Sequence, residues 1–183
     1  MDKSKSMKTE KSESWVEANV VVNTKPSMAV DNLKIDEFEI GLLTVTRYFL
    51  ASVNKTSVEN WQQGYTIASE RWGETVGLRA AFYLWSLINS VLNSKSDVFL
   101  FHDPLNLETR GFVSEDEKLL IQTIHHMRRD QTSLARKAMF GLCNGVIDSE
   151  TVKAGLMLST RFPINLQAVG MRSEKPRLRL VEQ

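Results

Sequence analysis

Three histidines, one cysteine and one run of acids are the residues of this chain whose types could carry chemistry. His102 and Asp103 are adjacent, a pairing that serves metal-dependent phosphoester hydrolysis when a histidine lies upstream and a further aspartate completes the ligand set. The histidines are His102, His125 and His126, and none precedes the pair. The set is incomplete. Pro104 gives the dipeptide another role, because the residue before a proline avoids helical dihedrals and an aspartate there stabilises a turn.

His102, His125, His126 and Cys143 also lack the Cys-x-x-Cys or His-x-x-x-His spacing of a zinc site. His125 and His126 are neighbours on a predicted helix, so their side chains diverge by about 100° and do not share one ion. One is expected at the core edge and the other in solvent. Cys143 follows Leu142 on an apolar helix side, where a free cysteine behaves as a small hydrophobe rather than a nucleophile. Glu115-Asp116-Glu117 sits where a helix begins, and capping accounts for it. There is no Gly-x-x-x-x-Gly-Lys and no Gly-x-Gly-x-x-Gly. The residues therefore predict no catalytic set, no metal site and no cofactor.

The basic residues are more informative. Arg128, Arg129, Arg136 and Lys137 flank one predicted helix junction, and Lys153 follows on the next helix. Two short helices around a glycine turn make a loose helix-turn-helix outline. Its second helix, however, runs Ala154-Gly155-Leu156-Met157-Leu158, too apolar to read base edges. Nucleic-acid binding through this cluster, with Arg177 and Arg179 of the C-terminal tail, is thus the alternative function rather than the first. Trp61, Trp72, Trp85, Tyr48, Tyr65 and Tyr83 fall at helical spacings and read as core. Trp15 in the N-terminal tail, with Phe99, Phe101 and His102 in an irregular segment, are the candidate partner-binding residues. That segment, residues 99–111, is also the place for a further alternative, a small-molecule or enzymatic site, since long loops in compact domains are often functional.

These groups must be positioned by helices. Asp36 with Glu39 and Ser114 with Glu117 have capping-box spacing, and Ser57 opens a third helix. Phe38, Leu42, Val45 and Phe49 predict one buried face. Val58, Trp61, Tyr65, Ala68 and Trp72 predict another, closed by a C-terminal glycine at Gly73. The stretch Glu74 to Leu92 is apolar nearly all round and predicts a central helix buried on every side. Its shortness and the interruptions at Arg79, Ser86 and Asn89 argue against a membrane span. Leu120, Ile124 and Met127 face inward on the next helix. Leu134, Ala135, Ala138, Met139 and Leu142 do so on the fifth, and Val152, Leu156 and Ser159 on the sixth.

The chain has 183 residues, a formal net charge of +1 and one cysteine. That length buries a core without disulfides, and the near-zero charge supplies no global attraction to nucleic acid or anionic lipid. With one cysteine and no apolar leader, a cytoplasmic location is the expectation. Fold class reads as all-α: a single compact bundle of about six helices around the central buried helix. Residues 1–33 are expected as a flexible N-terminal tail, 34–163 as the helical domain and 164–183 as a basic C-terminal tail. Within residues 1–33 the run Val20-Val21-Val22 is the one β-prone stretch. The function that fits is a non-catalytic regulatory or interaction protein. A protein partner is expected, nucleic acid is the alternative, no membrane is involved, and a homodimer is compatible with any uncovered apolar face.

Overall fold

A computed structural model describes residues 20–55 and 57–164. The described residues are mostly helical, as expected, with four very short strands. The helices are α1 (Glu37–Lys55), α2 (Val58–Ser94), α3 (Glu115–Arg128), α4 (Thr132–Leu142) and α5 (Ser149–Arg161). The strands are β1 (Val20–Val22), β2 (Met28–Ala29), β3 (Phe99–Phe101) and β4 (Phe112–Val113).

Both capping boxes form. The Asp36 carboxylate accepts from the Glu39 amide at 2.9 Å while Glu39 accepts from the Asp36 amide at 3.0 Å. Ser114 and Glu117 repeat the exchange at 3.1 and 2.9 Å. Each box satisfies helix-start amides that have no partner within the helix.

The expected second and third helices are one element, giving five helices rather than six among the described residues. Helical backbone resumes at Glu74 with no intervening loop, but Gly73 has φ +74 and ψ 158. That conformation belongs to glycine. The bend it makes is sharp: a Cβ on Gly77 would lie 2.3 Å from the Ala68 carbonyl oxygen. In a straight helix nine residues span about 13.5 Å. The limbs of α2 therefore fold against each other, and Gly77 is where their backbones meet.

The second limb, Glu74 to Ser94, is not buried all round. Gly77, Ala80, Ala81, Leu84, Leu87, Ile88 and Val91 face the interior, whereas Val76, Leu78 and Phe82 are exposed. The reason is size. One face carries small residues and packs closely on α1 and α5, and among the described residues no further helix covers the opposite face. Among the described residues α2 alone is long and apolar enough, by length and composition, to cross a membrane.

The N-terminal segment also departs from expectation. Residues 20–33, placed within a flexible tail, are folded onto the domain. β1 pairs in parallel with β3, in the register Val20 to Phe99 and Val22 to Phe101. β2 pairs antiparallel with β4, Met28 opposite Val113. The segment expected as irregular, 99–111, supplies β3, and β4 follows it directly. An isolated Val-Val-Val run is too short to hold its own strand, and what holds it is a partner 79 positions away whose Phe99 and Phe101 are core residues.

The core joins Leu42, Phe49 and Leu50 of α1 with Leu84, Leu87 and Ile88 of α2 and with Phe99 and Phe101. Leu120, Ile121 and Ile124 of α3, Met139 and Leu142 of α4 and Leu158 of α5 complete it.

Candidate functional site

The polar residues singled out from sequence divide into those the fold consumes and those it leaves outside. Arg128 is consumed. Its guanidinium is fully buried, 2.8 Å from Asp36 and 2.5 Å from Glu39, and its Nε donates to the Phe162 carbonyl at 2.7 Å. It also stacks 4.8 Å over the Phe38 ring. Arg129 reaches the same two carboxylates at 3.2 and 2.6 Å. His125 Nδ1 lies 2.9 Å from the other Glu39 oxygen, and an ionised carboxylate only accepts, so this nitrogen donates. Two arginines thus neutralise two carboxylates where α1 begins and α3 ends. Both arginines had been assigned to a nucleic-acid face. They are withdrawn from it because Asp36 and Glu39, distant in sequence, are opposite them in the fold.

A second cluster is equally structural. Glu117 is buried and holds Arg47 Nε at 2.7 Å, while accepting from the amides of Ser114 and His102. Arg47 in turn donates to the carbonyls of Arg110 and Phe112. The 99–111 segment is thereby tied to α1 and α3. The partner-binding candidates Phe99, Phe101 and His102 lie inside it, at 1%, 0% and 0% exposure, and offer nothing to a partner. They are inward because β3 pairs with β1 and packs on α3, with Phe99 and Phe101 on its core side and Leu100 outward. His102 Nδ1 donates to the Asn23 carbonyl at 2.8 Å, and its Nε2 is buried without a partner among the described residues. Asp103 performs the turn role read from its proline neighbour, accepting from the Leu105 amide at 2.9 Å. Trp15, Arg177 and Arg179 lie outside the described residues.

Cys143 is buried, and that burial pushes its thiol up. This disfavours the thiolate a nucleophile requires. His126 Nδ1 is 2.7 Å from Gln131, across the α3–α4 turn. Among the described residues no group of three or more His, Cys, Asp or Glu is placed to hold a metal ion.

What remains outside is a surface on α4 and α5. Two shallow concavities of about 620 and 500 Å³ lie side by side and share Arg136 and Ile147. The larger is lined along α5 by Val152, Leu156 and Met157, and the smaller by Phe140 and Gly145 of the α4 end. Leu156, Met157 and Phe140 are 49%, 44% and 54% exposed, so the floor is apolar and open to solvent. Leu156 was expected to be buried. The buried face of α5 is instead Thr151, Ala154, Gly155, Leu158 and Ser159, rotated from the expected one so that α5 packs on α2 and α3 through small residues.

Three cations edge this groove: Arg136 and Lys137 on the α4 side and Lys153 on α5. Lys153 has one distant companion, Glu150 at 3.9 Å, with both side chains well exposed. Asp148, the carboxylate on the lining, is already engaged. It caps α5, accepting from the Glu150 and Thr151 amides at 2.8 and 2.9 Å and from the Thr151 hydroxyl at 2.5 Å. The Thr151 hydroxyl above all holds its carboxyl low, at about 2.

The chain matches no protein-family model, no curated protein and no solved structure. Sequence reasoning listed the groove's cations but missed Phe140, Ile147 and Met157. The available signal was the apolar middle of the last helix: a peripheral helix needs one buried stripe, and Leu156 and Met157 exceed it.

Proposed function

We propose that this protein is a non-catalytic interaction module that receives a protein partner on the α4–α5 groove. One observation carries this reading: a continuous, solvent-open apolar floor edged by Arg136 and Lys137, which make no ion pair among the described residues, and by Lys153, whose acidic neighbour Glu150 stands 3.9 Å away on the exposed side of α5. The buried carboxylates Glu39 and Glu117 are absorbed in helix caps and inter-helix ion pairs, which serve stability. Apolar side chains clustered in a concavity on the outside do not serve stability and are characteristic of binding surfaces. Phe140 and Met157 are suitable anchors, one a rigid aromatic and the other an adaptable thioether.

Nucleic-acid binding, the alternative, is left with Arg136, Lys137 and Lys153 among the described residues, around an apolar floor that offers phosphates nothing. A photo-crosslinking residue at position 157 tests the two together. A discrete protein adduct at position 157, absent with the same probe at exposed position 59 and lost in Phe140→Asp, is the expected result. No adduct at 157, combined with salt-sensitive binding of duplex DNA or RNA that Arg136→Glu and Lys137→Glu abolish, would replace this reading with the alternative.

A further inference from the structure

The groove's walls say what shape of partner it takes. Its long walls are α4 and α5, whose backbone groups are bonded internally except at their ends, and the turn between them adds Gly145, Ile147 and Asp148. The groove contains no strand edge, so an extended peptide docked there would leave its own backbone amides and carbonyls facing apolar side chains. A helix satisfies its backbone by itself and presents only side chains, which is what an apolar floor accepts. The length also fits. The α5 wall runs from Ser149 to Thr160, about 16 Å at the helical rise, or three turns. Three turns place apolar residues at i, i+3 or i+4, and i+7 along the floor.

The rim says what charge that helix carries. Arg136 stands where the two concavities join, Lys137 lies beside the smaller one, and Lys153 stands on the α5 wall. Cations therefore occupy both edges of the floor, while Asp148 is committed to capping α5. An occupant with carboxylates on both sides of its apolar stripe meets a cation on each side.

We propose, on the footing of the interaction function above, that the groove binds an amphipathic α-helix of a partner protein whose apolar stripe is flanked by Glu or Asp. The chain's own C-terminal residues 165–183 are a poor occupant, since Arg172, Lys175, Arg177 and Arg179 outnumber Glu174 and Glu182.

The test uses the full chain and two fluorescein-labelled 18-residue peptides with the same Leu/Ile stripe, one flanked by Glu and the other by Lys. Fluorescence anisotropy is expected to show micromolar binding of the Glu peptide. Affinity should fall at least tenfold for Arg136→Glu/Lys153→Glu, fall similarly for Met157→Asp, and weaken as salt rises. All three substituted positions are on the surface, and unchanged circular dichroism and melting temperature verify that the variants are folded. Equal or tighter binding of the Lys peptide overturns the acidic partner while leaving the groove a docking surface. Failure of both peptides, in a chain that still gives the position-157 adduct, overturns the helical partner alone. Failure of both without that adduct overturns the interaction reading as well. A concentration-dependent dimer in sedimentation, abolished by Met157→Asp, would make a second copy the occupant and overturn the proposal.

Discussion

Glu39 is a residue on which several polar contacts converge. It is fully buried, yet it accepts from Arg128, Arg129, His125 and the Asp36 amide. A buried ion pair owes its stability to completeness, since removing one member leaves the other charge desolvated. Glu39→Gln is therefore expected to destabilise the protein by about 3–5 kcal/mol, measured by urea unfolding with the m-value unchanged. Asp148 gives a pH-dependent counterpart. Its folded pKa, about 2, lies below the ordinary 3.8, so its contribution is present above pH 3.8 and lost as pH falls towards 2. Solvent screens this half-buried carboxylate, so the effect is on the order of 1 kcal/mol, similar to an N-cap contribution. Asp148→Asn should flatten the decline of stability between pH 4 and pH 2, followed by circular dichroism in acid. Loss of stability over that interval identical in both proteins would assign the decline to other carboxylates.

At the scale of elements, the decisive feature is the bend in α2. Gly73 adopts a conformation nearly confined to glycine, and a Cβ there would meet nothing within 4 Å. Gly73→Ala should thus cost about 1–3 kcal/mol through backbone strain alone. Gly77 is the opposite case, with helical backbone but no room, since its added Cβ would strike Ala68 and Ser69 backbone atoms. Gly77→Ala is expected to cost at least about 2 kcal/mol, because backbone cannot move aside as a side chain can. Thermal melts of the two variants distinguish strain from crowding: a further Ala68→Gly change cannot rescue Gly77→Ala, since the obstruction is the carbonyl rather than the Ala68 methyl. Three helix starts were readable from sequence at this scale. Asp36, Ser57 and Ser114 each cap the helix they precede, because a cap is a local arrangement of side chain and amide within three residues.

At the scale of the whole molecule, β1 fastens the N-terminal segment to the helical body. Val20 is buried against the core, and the Asn23 carbonyl supplies the one partner of the His102 ring among the described residues. Removing residues 1–23 should lower the melting temperature by several degrees, since it uncovers Phe99 and Phe101 and strands a buried imidazole. A truncated chain as stable as the full one would show that β1 contributes little to the fold.

The helical class, the capping boxes, the Gly73 break, the inward face of α1 and the turn at Asp103-Pro104 followed from sequence by itself, because each is set by neighbours within about one or two helical turns. The pairing of Val20–Val22 with Phe99–Phe101, the withdrawal of Arg128 and Arg129 into contact with Asp36 and Glu39, and the outward turn of Leu156, Met157 and Phe140 were decided by tertiary structure. Each depends on which surface arrives from far along the chain. Hydrophobic period says that a helix has an apolar stripe, but the packing of its neighbours chooses which apolar residues are covered and which are left to meet another molecule.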